Sequence, residues 1–124
     1  MNNLLFVALG GSIGAVFRYL ISIFMIQLFG SAFPFGTLVV NVIGSFLMGT
    51  IYAFGQVSDV SPELKALVGV GLLGALTTFS TFSNETLLLI QQGDWLKAFI
   101  NIALNLCLCL FMVYLGQQLV FSRI

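Results

Sequence analysis

Four apolar runs decide what this chain can become. They cover about residues 4–29, 35–54, 63–90 and 95–121, and each is close to or above the roughly 20 residues an α-helix needs to cross a hydrocarbon core. Composition agrees: 60% of the residues are hydrophobic, 6% are charged, and the mean hydropathy is +1.14. Four basic and four acidic residues cannot solubilise such a surface in water. The expectation is an all-α integral membrane protein, with residues 1–124 forming a single four-helix transmembrane domain.

Composition also excludes. A net charge of zero and the lack of a basic cluster argue against nucleic acid as a partner. The sequence has no histidine, so neither a histidine metal site nor a histidine proton relay is available. No nucleophile–base pair or cofactor motif points to an enzyme. Cys107 and Cys109 lie two apart, about 200° around a helix, which is poor geometry for a disulfide between them. They read as small apolar fillers. No Lys or Arg precedes the first apolar run, and the pattern resumes beyond its small residues, so it reads as a retained first helix.

Between the runs lie short polar connections. Pro34 is well placed to open the second helix, and Ser61-Pro62-Glu63 resembles the start of the third. Trp95 marks a membrane–water boundary at the head of the fourth. Four spans put both ends on one side. Lys65 and Arg123 belong to that side; Lys97, with Arg18 leaning the same way, belongs to the other. Such a balance gives no orientation preference. Two inverted copies would supply the symmetry that the chain, with no internal repeat, lacks.

Several stripes run along the helices at steps of four. Gly10 and Gly14, then Asn41, Ser45 and Gly49, then Gly71 and Ala75, read as faces where backbones approach closely. Arg18 is either a snorkelled anchor or a fixed positive charge in a watery vestibule that draws in anions. Asn41 is either an interhelix hydrogen bond or a donor facing a pore. Asn101, Asn105 and Cys109 share a face, as helix glue or as a polar track.

The third run is the unusual one. Residues 74–85 place Thr77, Thr78, Ser80, Thr81, Ser83, Asn84 and Glu85 in the middle of an apolar span. Polar groups at that depth need a cavity or a partner. The reading is a discontinuous helix that stops near 74–77 and restarts near 78–80. Its first half ends in carbonyls that suit a small cation, and its second begins with N–H groups that suit an anion. Phe79 and Phe82 lie on one face of the second half. Their rings are either ordinary core or, edge-on, coordinators of an anion, with Ser80, Thr81 and Ser83 as hydroxyl donors. Glu85 is either a proton-linked group or part of a polar track.

The strings at 10–19, 36–44 and 74–83, above all Thr77-Thr78-Phe79-Ser80-Thr81-Phe82 together with Val40-Asn41, resemble the CrcB/Fluc fluoride channels. Ala75 stands where many members have glycine. The resemblance implies a dual-topology antiparallel homodimer in the inner membrane with two pores, exporting fluoride passively to relieve its toxicity. It implies Phe79 and Phe82 as the paired rings, Asn41 as an anion-facing donor, and Arg18 as the positive charge of the vestibule. Thr37, Ser83 and Glu85 would join a polar track. Backbone carbonyls of Gly74 and Thr77 from both subunits would hold a structural Na⁺. The alternative is a small dual-topology drug/proton antiporter, but that class uses an acidic residue in its first helix, where this chain has Arg18.

Overall fold

The computed structural model describes residues 2–123. Its helices are α1 (Asn2–Phe29), α2 (Phe35–Val57), α3 (62–76), α4 (Phe79–Gln91) and α5 (95–121). Among the described residues, four stretches are long and apolar enough to cross a membrane, with α3 and α4 together forming the third. The chain is a multi-span membrane protein.

Helix ends follow local chemistry. Ser61 caps α3, its Oγ accepting the Leu64 N–H at 3.2 Å, with Pro62 in the first turn. Pro34 opens α2 from the N-cap position, its carbonyl accepting the Leu38 N–H at 3.4 Å. Helix α4 ends on Gly93, whose φ of 84° only glycine adopts without strain. There Asp94 N–H reaches Leu89 O at 2.9 Å and Gly93 N–H reaches Ile90 O at 3.0 Å, a pairing that satisfies the last carbonyls. Helix α2 runs past its expected end at 54 to Val57. Gly55 sits inside it without stopping it, and Ser58, in extended conformation, closes it on Phe54 O.

Helix α1 packs along α3, and α2 along the second half of α5. Both contacts are backbone against backbone. A Cβ on Gly10 would strike Leu67 O, one on Gly14 would strike Leu72 O, and one on Gly71 would come within 2.7 Å of Val7 O. On the other side of the bundle, Gly49 faces Val113 O and Gly116 faces Phe46 O just as tightly. In lipid such close approach substitutes for a hydrophobic driving force. The small core, Val40, Leu73 and Leu76 with Ile21, Ile51, Val68 and Leu72 around it, lies where α1, α2 and α3 meet. It ends at the break.

Two sections are wound more widely than an α-helix, Lys65–Leu73 in α3 and Leu104–Leu108 in α5. The first carries Gly71 at the α1 contact. The second holds Asn105.

Candidate ion pathway

The third span breaks at two residues. Leu76 is the last helical residue of α3, Thr77 (φ −85°, ψ 157°) and Thr78 (φ −153°, ψ 125°) are extended, and α4 starts at Phe79. Threonine suits an extended backbone, and each hydroxyl here also bonds the chain. Thr77 Oγ1 donates to Leu73 O at 3.0 Å, finishing α3. Thr78 Oγ1 accepts the Thr81 N–H at 3.2 Å, starting α4.

Side chains from the other spans converge on this break. Asn41 on α2 grips Thr78 at both backbone groups: its Oδ1 accepts the Thr78 N–H at 2.8 Å and its Nδ2 donates to Thr78 O at 3.1 Å. The second amide hydrogen goes to Asn105 Oδ1 at 2.8 Å. Of the two readings of Asn41, an interhelix hydrogen bond or a donor facing a pore, the side chain makes the interhelix bonds and splints the break. Arg18, part-buried, donates from Nε to Ala75 O at 2.9 Å. It does not snorkel to the interface. A positive charge at the carbonyl end of α3 complements the helix dipole.

Among the described residues, no side chain and no turn N–H bonds the carbonyls of Gly74 or Thr77. Gly74 is exposed. The described residues also hold no cluster of three or more His, Cys, Asp or Glu side chains, so a cation at this place would be held by carbonyl oxygens. That donor set fits a hard alkali cation rather than a transition metal.

On the other side of the break, Phe79 and Phe82 stand with ring centroids 5.3 Å apart and planes tilted by 57°. The rings are inclined rather than stacked, a tilt within the range that aromatic pairs prefer over a face-to-face sandwich. Phe82 is 6% exposed and Phe79 is 71% exposed. One ring belongs to the interior and one to the rim. A cavity of about 220 Å³ opens beside them, walled by Asn41, Thr77, Thr78, Asn105 and Cys109 among others.

The remaining expected residues divide. Thr37 and Glu85 line a second, larger cavity of about 460 Å³ with Ser22, Gln92, Asp94 and Lys97. One carboxylate oxygen of Glu85, Oε1, is buried without a partner. Thr81 Oγ1 accepts from Thr78 Oγ1 at 3.2 Å. Ser83 Oγ donates back to Phe79 O at 2.9 Å. Ser80 and Ser83 lie exposed on the same outer face of α4 as Phe79 and Asn84. The structure thus brings Asn41, Thr77, Phe79 and Phe82 together at the break, sets Thr37 and Glu85 in the second cavity, and leaves Ser80 and Ser83 facing outward.

Residues 5–117 match the family model described as CrcB-like protein, Camphor Resistance (CrcB). The chain belongs to the CrcB family. Its relatives include proteins named fluoride-specific ion channel FluC in Shewanella woodyi and Shewanella sediminis, each 90% identical over 124 residues, covering the whole of both chains. Another, from Shewanella baltica, is 85% identical over the same length.

In this CrcB chain, two site features escaped the sequence reading. Gly44 is a socket for the Thr77 methyl group, which occupies the space a Cβ would take. Gly44 lies three after Asn41 on α2, so the position was available to helical spacing. Thr86, 7% exposed, lies four after Phe82 and bonds its carbonyl. A hydroxyl four residues from a site ring is the signal that marks it.

Proposed function

We propose that this protein is a passive fluoride channel. It works as an antiparallel, dual-topology homodimer with two pores, sits in the bacterial inner membrane, and lets out fluoride that enters as the neutral acid and dissociates inside. Full-length identity to proteins named fluoride-specific ion channel supports the anion's identity. One structural observation carries the pathway: the inclined Phe79–Phe82 pair stands beside a cavity at a mid-membrane helix break.

The chemistry follows from weak, distributed contacts. Fluoride must exchange strong hydration for protein groups without being trapped by a full charge. Ring edges supply partial positive charge, Thr81 supplies a hydroxyl donor, and Ser80 and Ser83 on the outer face of α4 add hydroxyls where a second copy meets it, Ser83 once its bond to Phe79 O is exchanged. Arg18 and the first turn of α4 add a positive field. Thr37 and Glu85 continue the polar route in the second cavity. Asn41 serves the pathway by holding Thr78 in place.

The outer face of α4 supports the dimer. Phe79, Ser80, Ser83 and Asn84 are all exposed, and hydroxyls and an amide facing lipid at this depth are costly. A second, inverted copy covers them and doubles the pathway. In such a dimer the Gly74 and Thr77 carbonyls of both copies would hold a structural Na⁺, whose contribution is to pin the two breaks together. The experiment is fluoride efflux from liposomes read with a fluoride electrode. Efflux well above protein-free vesicles is expected; efflux equal to theirs would refute the channel.

A further inference from the structure

The hydrogen bonds around the break form one continuous chain that the expected site residues do not account for. Thr86 Oγ1 donates to Phe82 O at 2.8 Å and accepts from Asn101 Nδ2 at 2.9 Å. Asn101 Oδ1 accepts from Asn105 Nδ2 at 3.0 Å, and Asn105 Oδ1 accepts from Asn41 Nδ2 at 2.8 Å. Asn41 ends the chain on both backbone groups of Thr78. The chain therefore leaves α4 at Phe82 and returns at Thr78, the residue that caps its start. Between those two points lies the turn that carries both rings.

Its members are buried where it matters. Asn101 is fully buried, and Thr86 and Asn105 are each 7% exposed. Asn101 is also tied by its backbone carbonyl to Asn105 Nδ2 at 2.9 Å, at the point where α5 becomes wider. A buried amide network in which the members are satisfied fixes one geometry, and removal of one member leaves the others unpaired at a cost. Neither Thr86 nor Asn101 lines the cavity at the rings. They act on it through the backbone.

We infer that Asn101 and Thr86 are positioning residues of the ion pathway. Through them α5 braces the first turn of α4 and sets the inclination of Phe82 against Phe79. The inference rests on the fluoride-channel reading for its flux consequences. Its structural consequence, a braced break, does not depend on the ion.

The test compares the full-length protein with Thr86→Val, Asn101→Leu, their double variant and Thr86→Ser. Thr86→Val keeps the shape and removes the hydroxyl. Thr86→Val and Asn101→Leu should each lower fluoride efflux roughly tenfold, the scale of an orphaned buried partner. The double variant should fall no further than the worse single one, because both break the same chain. Thr86→Ser, with the hydroxyl restored, should conduct like wild type. Amide hydrogen exchange over residues 77–82 should rise in Thr86→Val and Asn101→Leu and stay unchanged in Thr86→Ser. Wild-type flux in Thr86→Val, or losses that multiply in the double variant, would overturn the inference. If the unaltered protein passed no fluoride, the channel reading would fall by itself. Unchanged exchange in Thr86→Val would still overturn the brace, and raised exchange would still support it.

Discussion

At the scale of single residues, polar groups in this chain are placed to hold backbone rather than one another's charge. Asn41 is the clearest case. It satisfies both backbone groups of an extended residue that no helix or sheet can satisfy. We predict that Asn41→Leu destabilises the protein by about 1–3 kcal/mol for each group it orphans, read as a lower unfolding midpoint in detergent. A midpoint equal to wild type would mean that water or another side chain replaces it. The glycines make the opposite argument, since they matter through what they lack. A Cβ at Gly116 has no room against Phe46 O, so Gly116→Val is expected to cost about 1–3 kcal/mol or to part α2 from α5. The packing role of Gly10, Gly14, Gly49 and Gly71 was legible as small residues at steps of four. Gly116 was not, because α5 offers a single glycine with no small partner at that step. The destination of Arg18 was hidden for a related reason: its target is a carbonyl, and carbonyls leave no mark in sequence.

At the scale of elements, the four spans and the break were legible because both are statements about solvent. A run of about 20 apolar residues has one comfortable place, and a polar cluster inside it must be enclosed. The break fell at Thr77-Thr78, within the expected interval, because two β-branched residues with hydroxyls both favour extended backbone and cap its neighbours. The wider winding in α3 and α5 was not legible, since it depends on what packs alongside. Nor was the extension of α2 to Val57. Two glycine substitutions separate these influences. Gly93→Ala forces a side chain into φ 84° and should cost about 1–2 kcal/mol. Gly55→Ala meets only the Lys65 side chain at ordinary contact distance and should stabilise α2 by roughly 0.5–1 kcal/mol. Thermal unfolding in detergent reads both, and equal signs for the two would contradict the account of the helix ends.

At the scale of the molecule, one copy leaves Phe79, Ser80, Ser83, Asn84 and Gly74 on its surface at mid-span, and the proposed second copy would give them a partner. The charge balance of Lys65 and Arg123 against Lys97 and Arg18 predicts that the copies insert both ways. A reporter fused to the C-terminus should then appear on both sides of the membrane; a single orientation would remove the antiparallel dimer. The inclination of the rings was beyond the sequence, because the chain inferred to set it joins three amides and the Thr86 hydroxyl from three separate spans. Fluoride efflux from liposomes carrying Phe82→Ile, in protein shown by size to retain its assembly, is the most direct test. We predict a loss of roughly tenfold or more, since Ile fills the space but has no positive edge. Wild-type efflux in Phe82→Ile would show the ring to be packing alone and would contradict the pathway.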